Sequence, residues 1–306
     1  MRLFCTLSAG YRAFSPARVR DHFESRYRHD LRPRKRWGKT ETTWYIKTHV
    51  CRNGVEERTK YPVRSDHSTG RQARREAARG ARRSDNAERQ TARLLNNNFI
   101  AGADLHIVLE YSDAEIQRLS EKAETAAHAH TDDTGTCADF DTLLRDELFR
   151  LGQKNLRLFV RRVQRELAKT GTALRYLGAT SDMNGETGEP ARLHHHFVCN
   201  VEAADACRRK WRGTVWDCEL YNVNGDLSAL ASYIIRQVRP VEGTQRYVPS
   251  RNLITPETSE PVPLVGNAAR YAENEMRLPR GCILLYRSTY VRGACQYIRY
   301  LRPKRE

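Results

Sequence analysis

The chain has 306 residues, of which 39% are hydrophobic, with 53 Lys and Arg against 37 Asp and Glu, a formal net charge of +16 and a mean hydropathy of −0.73. That length can bury one large core or two ordinary ones. No apolar stretch approaches the ~18 residues of a membrane span, and the start "MRLFCTLSAGYRAFSPARVR" has too short an apolar run for a secretory signal, so a cytoplasmic, non-membrane protein with reduced thiols is expected.

Taken in chain order, "TTWYIKTHVCRNGVEERTKYPV" alternates polar and apolar residues about Asn53-Gly54, a pair suited to a hairpin turn. "RQARREAARGARRSDNAERQTARLLNN" is rich in Ala and Arg, and Ser84 or Asp85 could cap a helix running to about Leu95. The compact apolar run of "ADLHIVLEYSD" reads as a buried strand. "EKAETAAHAHTDDTGTCADFD" has no sustained apolar period and reads as a loop or insertion. From about Phe140 to Thr170 a helix returns, with Leu148, Leu151, Leu156, Phe159, Val163 and Leu167 on one face and Arg157, Arg161, Arg162 and Arg165 on the other.

"TALRYLGATSD" and "ARLHHHFVCNV" read as two strands joined by the polar turn "MNGETGEP". A short helix from Ala203 to about Trp211, a strand in "GTVWDCELYNV" and a helix opening at Asp226 follow. This order predicts an α+β fold, with helices packed on a central antiparallel sheet. Beyond Arg239 the prolines are too dense for helix, and "GCILLYRSTYVRGACQYIRYLRPKRE" supplies a final strand-like stretch and a basic tail. Three regions result: a basic N-terminal segment with hairpin and helix over 1–100, a central domain over 101–240, and a loop-rich extension over 241–306.

The charge points to a polyanionic partner, for which nucleic acid is the usual case, with a solvated basic face as the plain alternative. Eight cysteines contain no C-x-x-C pair, so a zinc-ribbon spacing is absent. On a strand, His194 and His196 point to one face while Leu193, His195 and Phe197 point to the other. Two imidazoles with one residue between them can reach a single cation. Three histidines would suit zinc, whereas two with a carboxylate and waters suit Mg²⁺ or Mn²⁺ on a phosphate; Asp182 is the nearest carboxylate candidate and Glu110 another. A second H-x-H, His128 and His130, sits where no strand pattern would hold it in register.

A cation on a phosphodiester needs a nucleophile to break it. Tyr233 is the candidate, on a predicted helix with Arg236 on the same side one turn later; the plain alternative is a core aromatic beside Leu230 and Ile234.

"RLHHHFV" followed by a helix carrying "LASYIIRQ" resembles the HUH endonucleases, specifically the rolling-circle replication initiators of phages, plasmids and integrated elements. "NNNFIAGADLHIVLEYSD", "LRLFVRRVQRELAKTG" and "RYVPSRNLITPE" are similar to other segments of that family, so the likeness runs from about Ser84 to Glu257. The resemblance implies that 101–240 is the nuclease domain, that His194 and His196 hold Mg²⁺ or Mn²⁺ against single-stranded origin DNA, and that Tyr233 attacks. The enzyme would stay joined to the 5′ end while the free 3′ hydroxyl primes synthesis. Host helicase and polymerase in a bacterial cytoplasm are the partners it implies, and no Walker A pattern is present on this chain.

Two positions depart from the family pattern. Arg236 replaces the usual lysine of Y-x-x-K, and Arg cannot exchange a proton. Ser181-Asp182 stands where related chains carry Glu, and Asp182 would need a bulge to face the histidines. A single tyrosine occupies the helix motif. A relaxase or transposase shares the same chemistry, and a DNA-binding protein that has lost cleavage, stacking bases on Trp211 or Trp216, is the reading from another class.

Overall fold

A computed structural model of the chain describes residues 42–64, 86–134, 140–270, 272, 274–290 and 295–303. The fold is α+β, with two antiparallel sheets and helices packed on them. The described residues cluster into two compact units, one within 42–49, 56–64 and 258–303 and the other within 50–55 and 86–257.

In the first unit, β1 (Thr42–Val50) and β2 (Val55–Arg64) form the predicted hairpin, with Gly54 at φ 88° in its turn. Their sheet is completed from the far end of the sequence by β8 (Glu257–Thr258), β9 (Val262–Pro263), β10 (Ile283–Tyr290) and β11 (Cys295–Leu301), in the order β10-β11-β2-β1-β8 with β9 also on β1. The first sheet therefore draws strands from both the 1–100 and the 241–306 regions. Alternation shows that a strand has two faces, but not that its partners lie more than two hundred residues away. Within this unit the fully buried Glu56 carboxylate is balanced by Arg58 at 3.0 Å, by Arg302 and by the Tyr300 hydroxyl.

The second unit holds the histidines. Its sheet runs β6 (Gly213–Glu219), β3 (Leu105–Tyr111), β5 (Pro190–Cys199), β4 (Tyr176–Met183), β7 (Val248–Pro249), so the H-x-H strand is central. A helix over 86–98, α1, extends three residues past the expected end. The expected cap at Ser84 or Asp85 lies outside the described residues.

α2 (Asp113–Thr134) occupies the stretch expected to be a loop. Of the residues it buries, Leu119, Ala123 and Ala127 recur at four; two of these are alanines, which carry the highest helix propensity while registering weakly as an apolar stripe. His128 is exposed on this helix, its ring 4.7 Å from that of Phe140. α3 (Phe140–Ala168) lies over one face of the sheet, where Gly152 meets Leu193 and the Phe159 ring meets Phe197 at 5.5 Å. α4 (Ala204–Lys210) leads into β6, and α5 (Ser228–Arg236) returns to the opposite face. A short α6 spans Asn267–Arg270.

Gly213 marks the start of the edge strand because nothing larger fits there. A Cβ at this position would stand 2.0 Å from the Glu110 carbonyl oxygen and 2.9 Å from Trp211 Nε1, which donates to that same carbonyl. Gly213→Ala is expected to destabilise the unit by about 3 kcal/mol, read as a lower urea midpoint.

Candidate functional site

The register across the sheet decides which side chains share a face. His194 stands opposite Glu110 on β3 and Ser181 on β4; His196 stands opposite Val108 and Ala179; His106 stands opposite Val198. His106, Glu110, His194, His196 and Ser181 therefore line one face, and β6 adds Trp216 beside Val108.

The imidazoles are joined edge to edge. His194 Nδ1 donates to the Arg192 carbonyl at 2.8 Å, which leaves its Nε2 as a lone-pair donor 3.2 Å from His196 Nε2. His106 Nε2 lies 3.2 Å from His196 Nδ1. If His106 accepts there, His196 carries its proton on Nδ1 and both Nε2 lone pairs converge on one point. A spacing of 3.2 Å is that of two ligands about 2.1 Å from a common cation, subtending roughly 100°. Burial lowers the pKa of all three: His106 to about 4, with the His194 charge adding to the effect, His196 well below its ordinary value, and His194 less so, since the Arg192 carbonyl and Glu110 oppose it. Neutral rings suit a cation. Among the described residues no third His, Cys, Asp or Glu completes a group of three around a metal position.

His195 does different work. It is fully buried on the α3 face, hydrogen-bonded to the Tyr111 hydroxyl at 2.7 Å and to Thr180 Oγ1 at 3.0 Å, and burial pushes its pKa down to about 3. Trp211 packs edge-on against this ring and against Phe159, so it is a core residue. Trp216 is half-buried on the other face, its indole N–H donated to Glu110 Oε2 at 2.9 Å.

Asp182 is held by two arginines, and its charge also acts on His194. It accepts from Arg145 Nε at 2.8 Å and from Arg239 at 3.2 Å, with Arg145 reaching it from α3. The β4–β5 pairing is irregular between Ser181 and Met183, yet Asp182 stays on the arginine side. Glu110, the other carboxylate candidate, stands opposite His194 on the histidine face.

Tyr233 is brought to the pair, its ring centroid 5.4 Å from that of His196 at 72°. Burial raises the pKa of its hydroxyl, opposed by a hydrogen bond from the Gln237 side chain. Arg236 turns instead toward Glu88 of α1, at 3.8 Å, and Ser232 Oγ donates to the same carboxylate at 2.8 Å. The polar side chain that joins the tyrosine to the histidines is Gln237, 2% exposed, which donates to the Tyr233 carbonyl at 3.1 Å and bonds His194 and His196. Its own carbonyl accepts from Ser181 Oγ at 2.7 Å. His106 and Gln237 were missed by sequence reasoning, although "LHIVLE" carried a signal: His106 and Glu110 have the same parity on one strand.

α5 is anchored from below by α1. Asp226 Oδ1 accepts from the Ser228 N–H at 3.0 Å and from Asn96 Nδ2 at 2.9 Å, and Asn96 Oδ1 accepts the Leu227 N–H at 2.8 Å. Among the described residues no helix is long and apolar enough to cross a membrane. Comparison of the chain with protein-family models, with curated proteins and with solved structures finds no match.

Proposed function

We propose that this chain is a DNA nickase and strand transferase of the rolling-circle initiator kind, acting on single-stranded origin DNA. The observation that carries the reading is the convergence of His194 Nε2 and His196 Nε2, 3.2 Å apart, with the Tyr233 ring against His196. The ordered resemblance from about Ser84 to Glu257 and the charge of +16 support it.

In this reading the Tyr233 oxygen forms a new bond to phosphorus, the bond from phosphorus to the 3′ oxygen breaks, and the 3′ end leaves as a hydroxyl. The protein keeps the 5′ phosphate as a phosphotyrosine. A Mg²⁺ or Mn²⁺ ion bound by His194 and His196 would withdraw charge from the phosphate and orient it. Gln237 holds the phenol and the imidazoles in one arrangement, and His106 fixes the ring of His196 from behind. Arg236, paired with Glu88, secures α5 to α1 instead of taking the place of the family's lysine. Extension from the 3′ hydroxyl and unwinding would fall to host polymerase and helicase.

Purified protein mixed with labelled single-stranded DNA drawn from the element's own sequence is expected to give a denaturation-resistant adduct with Mn²⁺ and none with EDTA. Tight binding with no adduct would favour a second reading, a DNA-binding protein on this scaffold that has lost cleavage.

A further inference from the structure

At the far end of the histidine strand lies a cavity of about 420 Å³, within the range of small-ligand sites. Its walls come from five segments: Arg52 of the hairpin turn, Asn97 and Asn98 at the end of α1, the loop 172–175, Asn200 and Glu202 after β5, and Asn252 and Ile254 after β7. Asparagines hold these segments together. Asn97 Oδ1 accepts the Arg52 N–H at 3.0 Å, and Asn97 and Asn98 both donate to the Ile254 carbonyl at 2.8 Å. Asn98 Oδ1 accepts the Ile254 N–H at 2.7 Å, and Asn200 Oδ1 accepts the Arg175 N–H at 2.8 Å. Asn97 and Asn98, which the nickase reading leaves without a role in chemistry, thus build part of a preformed cup.

The cup carries more hydrogen-bonding capacity than its own walls use. Arg175 is pinned by Nη2 to both oxygens of the buried Asp104, at 2.9 and 3.1 Å, with its guanidinium over the Phe99 ring. Its Nε is buried and has no hydrogen-bond partner among the described residues. Arg52 stands exposed at the rim, and Ile254, 44% exposed, offers an apolar ledge. A fixed guanidinium edge, an exposed arginine, amides and one carboxylate, Glu202, provide for both an anionic group and the donor and acceptor edge of a base.

We propose that this cavity takes one unstacked nucleotide of the single-stranded DNA and reads its base. The proposal rests on the nucleic-acid reading above, but not on cleavage. Asn200 follows His196 by four residues, about 13 Å along the strand, so a DNA strand crossing the histidine pair passes the cup a short distance away. The phosphate lies on Arg52 and Arg175, and the base lies between the Ile254 ledge and the amides.

The test uses the full chain in a Tyr233→Phe background with EDTA, so that binding is read without chemistry. Labelled dA, dC and dT 12-mers, and each free mononucleotide, are titrated by fluorescence anisotropy or calorimetry against this protein, against Ala173→Trp, which fills the cup, and against Arg52→Glu. One base is expected to be preferred by roughly tenfold, with both cup variants falling to the affinity of the other oligonucleotides. An unchanged preference after Ala173→Trp, or no preference at all, overturns the proposal. Saturable binding of a free mononucleotide without discrimination among oligonucleotides reassigns the cup to a small ligand and overturns its role on DNA. Absence of all oligonucleotide binding overturns the nucleic-acid reading itself, whereas oligonucleotide binding without base preference overturns the cup alone.

Discussion

Tyr233→Phe should abolish the protein–DNA adduct, by on the order of 10³-fold or more, while leaving the affinity for single-stranded DNA within about twofold. The substitution removes one oxygen and keeps the ring that packs on His196 at 5.4 Å, so the imidazole arrangement persists. The lost hydroxyl is the only group of the variant that bonded to the Gln237 side chain through the phenol, and Gln237 retains its bond to the residue 233 carbonyl at 3.1 Å. In the proposed reading, affinity comes from phosphate contacts spread over a chain of net charge +16, and one phenol contributes little to it. Adduct formation is read by denaturing electrophoresis and affinity by anisotropy. An adduct that survives in the variant would remove Tyr233 as nucleophile and turn attention to another hydroxyl.

The part of this site that was legible in the sequence is the part written in local periodicity. The H-x-H of β5 and the tyrosine of α5 each sit at a spacing that fixes a face, and the structure brings the two faces together. Neighbours set by register across strands were not legible. His106 and Glu110 share a parity on β3, but only the pairing of Glu110 with His194 makes them part of the histidine face. Asp182 looked near because it ends the adjacent strand; its side is chosen by Arg145, which belongs to a different helix. Gln237 escaped notice because it follows the last helical residue, where the apolar stripe gives no reading. The α2 helix was hidden by its alanines, and the first sheet by the distance in sequence between β2 and β11.

Exchanging Asp182 and His106 in turn should separate structural from functional polarity, because each has the opposite role from the one its sequence context suggests. Asp182→Asn removes the charge that Arg145 and Arg239 share on the α3 side. Arg239 keeps Asp146, and both arginines are partly exposed, so the cost falls below that of a fully buried broken pair, at about 2 kcal/mol, or roughly 5 °C in melting temperature. Mn²⁺ affinity, followed by calorimetry or electron paramagnetic resonance, should not change. His106→Phe should do the reverse. Phenylalanine fills the same buried position and keeps a ring against His196, now 5.3 Å away and nearly parallel, so stability changes by about 1 kcal/mol or less. It cannot accept the Nδ1–H of His196, so Gln237 alone is left to orient that ring, and Mn²⁺ affinity should fall by about 10- to 100-fold. A variant at Asp182 that folds normally but loses Mn²⁺ would make that carboxylate a ligand after all, and would require β4 to turn its end toward the histidines when the ion binds.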